Sequence, residues 1–163
     1  MEITRSEDGL LLKKLDVFFV EVLRQIPVST DTSDCDDARD RLYSKPTKNA
    51  RTNEEWIEFV QPELRHLFES ANEIVRRDLE DFDEKDVDGL LEYSVLIPKK
   101  NFDSWLNSLN QARLALAARH DFSDQELASD EAPTFDTVRD LSLFQIHFYG
   151  FLQELLIQEL QQE

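Results

Sequence analysis

Glycine is scarce, at three residues in 163, and proline is held to five. A fold built from many tight turns is disfavoured, because these two residues supply the backbone angles that turns need. Cysteine occurs once, at Cys35, so no intramolecular disulfide can form. Its neighbours Asp34, Asp36 and Asp37 disfavour the thiolate that a nucleophile or redox sensor requires. No apolar run approaches the roughly 20 residues of a membrane span. Met1 to Asp8 carry neither the basic nor the apolar region of a secretory signal. The expected compartment is the cytoplasm, and no membrane partner is expected.

Catalytic signatures are missing too. The chain has no glycine-rich phosphate cradle, no Gly-x-Ser-x-Gly elbow and no His-Glu-x-x-His pair. His66, His120 and His147 are the only histidines, too few for a di-iron bundle. Glu84-Lys85-Asp86-Val87-Asp88-Gly89 imitates the start of a calcium loop, but Val95 occupies the position that needs a bidentate acid. No catalytic residue, metal or cofactor is assigned, and the chain is expected not to be an enzyme.

Acidic residues, by contrast, are abundant. Thirty-five of them against 18 basic residues give a net charge of −17. Such a surface repels phosphate backbones, so direct nucleic-acid binding is disfavoured. Solubility is the plainest reading of such a surface; a basic protein partner and mimicry of nucleic-acid charge are the alternatives. Hydrophobic residues make up 40 % of the chain, eleven of them phenylalanine, which is enough for a core.

Helical spacing dominates the pattern. Leu11, Leu15, Phe18, Phe19, Val22, Leu23 and Ile26 predict a helix from about Glu7 to Gln25, ended by Pro27. Val28 to Arg51 is polar and reads as either an irregular wrap or a partly mobile connection, with at most a short helix near Asp37–Tyr43. Thr52-Asn53-Glu54-Glu55 has capping-box spacing and opens a short helix carrying Trp56, Ile57, Phe59 and Val60. Pro62 separates it from a longer helix reaching about Asp81, with Leu64, Leu67, Phe68, Ala71, Ile74, Val75, Leu79 and Phe82 inward.

After the acidic joint Asp83–Gly89, Tyr93 to Pro98 reads as extended and pairs at most with residues near Ile3. Helices are then expected at about Asn101–Arg119, after the Ser123–Glu126 capping box, and at about Thr137–Leu160. The predicted fold is all-α: a single domain over residues 1–163, with about four principal helices, short helical connectors and at most a token strand pair.

Three groups of residues stand out. Arg113 falls amid Phe102, Leu106, Leu109 and Leu116, so a buried ion pair with Asp78 or Glu159 is expected. Loss of such a pair costs about 3–5 kcal/mol. Asn110, Arg113, Arg119 and His120 form the alternative, an anion-sensing or ligand site. Leu143, Ile146, Gly150 and Ile157 make a second apolar stripe on the last helix, a candidate homodimer seam.

The run Trp105 to Arg119 also resembles a known pattern. Trp105, Leu106, Leu109, Asn110, Arg113, Leu114, Leu116 and Arg119 are similar to a helix of the bacterial, largely actinobacterial family called domain of unknown function number two thousand seventeen. Gln111 and Ala117 depart from the aspartate and glycine usual there. The resemblance implies an all-helical fold and no assigned activity. The function expected from all this is a non-enzymatic protein-interaction or scaffold domain with an unidentified protein partner or a second copy. Its alternatives are the Arg113-centred pocket and a DNA-associated regulator or nucleic-acid mimic.

Overall fold

The computed structural model describes residues 1–129 and 134–161. Its N-terminus is a β-hairpin where the spacing predicts a helix. Strand β1 (Glu2–Ser6) pairs antiparallel with β2 (Gly9–Leu15), and helix α1 (Val17–Ser29) starts only after them. Asp16 caps α1 by accepting from the Phe19 N–H. Leu10 and Leu12 alternate into the core as strand residues do. Lys14 then takes φ 52°, and the register shifts between Leu12 and Leu15. This bulge returns Leu15 to the core and breaks the period of two, so the apolar spacing imitates a helix.

A second hairpin joins β3 (Asp83–Val87) to β4 (Leu90–Pro98), giving a four-stranded antiparallel sheet of order β1-β2-β4-β3. Asp88 and Gly89 both have positive φ, at 55° and 82°, which a two-residue turn matching strand twist requires. Asp86 closes the turn by accepting from the Gly89 N–H at 2.8 Å. The stretch that imitates a calcium loop is therefore this turn. Gly9 serves the other side of the sheet: a Cβ there would lie 2.0 Å from the Ile97 carbonyl oxygen. Only glycine lets β2 approach β4 so closely.

The all-helical expectation is overturned. Seven helices accompany this sheet among the described residues, so the fold is mixed α and β and its strand pairing is not a token. Pro27 does not end α1 either. It is buried inside the last turn, and the Thr30 hydroxyl donates to its carbonyl at 2.8 Å. Within 28–51 lies α2 (Asp36–Leu42), whose Ala38 and Leu42 pack against Ala115.

Helix α3 (Ala50–Phe59) starts a residue after Asn49, whose side chain accepts from the Thr52 N–H. Thr52 is thus a donor in the first turn, not the cap, because asparagine one turn earlier takes that role. Helix α4 (Gln61–Asp78) follows, with Pro62 in its first turn. A short 3₁₀ turn (Lys99–Asn101) leads from β4 into α5 (Phe102–Arg119). Helix α6 (Asp124–Leu127) and helix α7 (Val138–Leu160) both open on complete capping boxes, at Ser123/Glu126 and Thr137/Asp140.

Sheet and helices share one core. Leu10, Leu12 and Ile97 from the sheet meet Leu23 and Ile26 of α1, Trp105 and Leu109 of α5, and Tyr149, Leu152 and Leu156 of α7. The Tyr149 hydroxyl, fully enclosed, donates to the Val22 carbonyl at 2.7 Å. Burial drives its pKa up.

Candidate interaction face

The predicted ion pair is replaced by other partners. Arg113 donates to the Gln153 Oε1 at 2.6 Å, and Gln153 in turn donates to the Leu106 carbonyl at 3.2 Å. Its guanidinium lies against Gly150, where an added Cβ would come within 3.2 Å of Cζ. Burial pulls its pKa down, but an arginine keeps its proton.

Asp78 instead accepts from Asn101 Nδ2 at 2.9 Å on each oxygen and from the Trp105 indole N–H at 2.8 Å. The reason is axial distance. Arg113 lies two turns beyond Trp105, about 12 Å along α5. An enclosed indole N–H needs an acceptor, and the carboxylate at the end of α4 supplies it. Glu159 pairs with Arg5 of β1 at 2.5 Å, tying α7 to the edge of the sheet.

The four residues of the predicted anion site do not converge. Asn110 is exposed, and Arg113 turns to α7. Arg119 reaches the Asp31 carbonyl at 2.6 Å and Asp34 at 2.8 Å. His120 Nε2 lies 3.0 Å from the Ser142 hydroxyl. The predicted dimer seam is likewise interrupted: Ile146 is buried in the chain's own core, and Gly150 sits beneath Arg113. Ile157 is exposed and Leu143 half-buried, so the four do not form one open stripe. Helix spacing located them on one side of α7, but α5 already packs along much of it.

The face that stays open lies elsewhere. Helix α3 buries none of its ten residues. Ile57, Phe59 and Val60 are 43 %, 65 % and 48 % exposed, and Leu67 on α4 is 53 % exposed. Trp56 beside them is half-buried. The helix that the spacing predicts here is real, but no described part of the chain buries its apolar residues. Glu54, Glu55 and Glu58 flank the apolar residues on the same helix and are exposed. A large exposed apolar group with a charged rim is unusual on a protein that works alone.

A family profile described as Domain of unknown function (DUF2017) matches residues 5–160. The chain belongs to the DUF2017 family. That match runs from β1 to the end of α7, so it takes in the sheet as well as the α5 helix that carries the resemblance. No curated protein and no solved structure matches the chain significantly.

On this DUF2017 chain a polar groove of about 1020 Å³ adjoins α4 on another side, between the end of α1, α2 and α4. Three of its four arginines already have partners. Arg39 binds Asp36, Arg76 binds Glu73, and Arg65 lies 5.4 Å over the Tyr43 ring. At its floor Asn72 Nδ2 donates to Thr30 at 2.8 Å and to Gln111 at 3.2 Å, joining α4, α1 and α5. Among the described residues no three His, Cys, Asp or Glu side chains converge on a metal position, and no helix is long and apolar enough to cross a membrane.

Proposed function

We propose that this DUF2017 chain is a non-enzymatic protein-interaction domain that presents α3 and the start of α4 to a protein partner. One observation carries the reading: α3 is amphipathic yet buries no residue in its own chain. A ten-residue helix is marginal in water without tertiary support. Keeping Ile57, Phe59 and Val60 open on such a helix is costly, and the cost is recovered when a partner covers them.

The chemistry of the rim narrows the partner. Glu54, Glu55 and Glu58 beside the apolar group, on a chain of net charge −17, favour a partner with an apolar centre and basic flanks. A second copy is less well supported, because it would set carboxylates against carboxylates. The α7 stripe offers it no alternative, with Ile146 and Gly150 already packed. The same charge weighs against direct contact with nucleic acid.

A photo-crosslinking side chain at position 57 tests the proposal in living cells. The control places it at position 84, on the exposed edge of β3. A discrete heterologous adduct from 57, absent from 84 and lost when Phe59→Glu is added, is the expected result. Equal labelling from both positions would refute the assignment of the face. An adduct at twice the chain mass would replace the hetero-partner with a second copy.

A further inference from the structure

A slot of about 380 Å³ opens between α1, the C-terminal end of α5 and the first turns of α7. That volume lies in the range of small-molecule sites. Its walls are mostly apolar, with Phe18 and Val22 from α1, Leu116 from α5 and Leu141 from α7. It continues onto an apolar trough of about 550 Å³ beside Phe18, Phe135 and Val138. A few polar groups interrupt this surface. His120 and Arg119 come from α5, while Ser142 and Gln145, both buried, come from α7.

The polar wall sets basic groups beside the apolar ones, with the Glu21 carboxylate also in the lining. Arg119 from α5 and Arg139 from α7 both stand near His120. The Arg139 Nε donates to the His120 carbonyl at 3.2 Å, and its guanidinium lies 4.1 Å over the Phe122 ring. Together with burial, which acts most strongly, these two cations hold the imidazole below its ordinary pKa. The nearby acids are paired: Glu21, which also lines the slot, with Arg24, Glu126 of α6 with Arg139, and Asp34 with Arg119. Asp121 follows His120 in the chain and is exposed. The Ser142 hydroxyl also donates to the Val138 carbonyl at 2.9 Å. With its proton there, His120 Nε2–H donates to Ser142, and Nδ1 is the nitrogen that takes up a proton.

We infer that this slot binds a small amphipathic anion of the medium-chain monocarboxylate class, its carboxylate on His120 and Arg119 and its tail along Phe18, Val22 and Leu141. Apolar walls beside the Arg119 guanidinium, whose Nε is enclosed without a hydrogen-bond partner, and a titratable imidazole match that chemistry better than an uncharged lipid. A seated carboxylate favours imidazolium, so binding takes up a proton. Affinity then falls as pH rises above the pKa of the free imidazole, by up to about ten-fold per pH unit. The Ser142–His120 contact is not read as a catalytic pair, since Ser142 is buried and bonds its own helix.

Titration calorimetry with octanoate and with octanol, at pH 5.5 and pH 8, tests the inference on the full chain. Octanoate is expected to bind at pH 5.5 and to weaken about ten-fold or more at pH 8, with octanol much weaker at both. His120→Gln should remove the pH dependence. Val138→Trp, at an exposed position on the mouth, should block octanoate without lowering the melting temperature, which keeps the test alive if the histidine variant unfolds. Equal binding of octanol and octanoate, pH-independent binding, binding unaffected by Val138→Trp, or no binding of octanoate would each overturn the proposal.

Discussion

Replacing Arg113 by methionine separates two descriptions of the α5–α7 contact. In the structure the guanidinium donates to a neutral amide, Gln153, its Nε is enclosed without a partner, and the residue as a whole is half-buried. One hydrogen bond from a charged donor contributes roughly 1.5–3 kcal/mol when buried, and solvent access at this position reduces it. Methionine retains the hydrophobic stem that covers Gly150. The expected loss is about 1 kcal/mol or less, against about 3–5 kcal/mol for stripping one partner from a buried ion pair. At a urea slope of about 2 kcal/mol/M these become midpoint shifts of roughly 0.5 M and 2 M, easily resolved by circular dichroism.

The pH dependence adds a second arm. A carboxylate partner would have a depressed folded pKa, so its contribution would be present near neutrality and lost as pH fell through that value. Gln153 does not titrate in this range, so the wild-type-minus-variant difference should stay flat from about pH 3 to pH 7. A midpoint loss near 2 M at pH 7 that shrinks at pH 3 would refute the Gln153 assignment and restore a carboxylate partner.

Asp78→Ala strands the enclosed Trp105 indole N–H and should cost about 2–3 kcal/mol, with Asp78→Asn closer to wild type because an acceptor remains. A denaturation midpoint unchanged in the alanine variant would contradict the Asp78–Trp105 bond. Glu126 is held down to about 2 by the Ser123 backbone N–H, then the Ser123 hydroxyl and Arg139, although it is partly exposed. Being depressed, it favours the folded capping box above the ordinary carboxylate value and loses that contribution as pH falls through about 2. Ser123→Ala should move the Glu126 carboxyl titration, followed by carbon NMR, upward toward 4.5; an unmoved curve would sink the capping explanation.

Much of the helical half was legible because it carries strong local signals. The expected spans of α5 and α7 agree with the observed Phe102–Arg119 and Val138–Leu160 within a residue or so, and Ser123 caps as its capping-box spacing predicts. Of the sheet only the extended run Tyr93–Pro98 of β4 was legible, and its partners are β2 and β3 rather than residues near Ile3; the rest was hidden for reasons particular to each strand. Strand β2 hides its alternation behind the bulge at Lys14, and β3, Asp83-Glu84-Lys85-Asp86-Val87, is a charged edge with almost no apolar pattern. Asp88-Gly89 was the available signal, since that dipeptide between two extended runs marks a hairpin.

For site residues the limit was different. Spacing identifies an apolar face but not what covers it, so Ile146 looked open and Leu67 looked inward, and both assignments reversed. Arg113 shows the same limit for charge, because periodicity could place it among apolar residues but could not choose its partner.

Hydrogen exchange read by mass spectrometry over residues 50–67 tests the central claim most directly. The tagged chain is isolated from its own cells with associated protein retained, and again after a high-salt wash. A helix that buries nothing should exchange quickly in the washed chain, with α5 protected throughout, and should slow markedly over 50–67 when the partner is present. Protection of α3 equal to that of α5 in the washed chain, or slowing confined to other segments in the complex, would contradict the account.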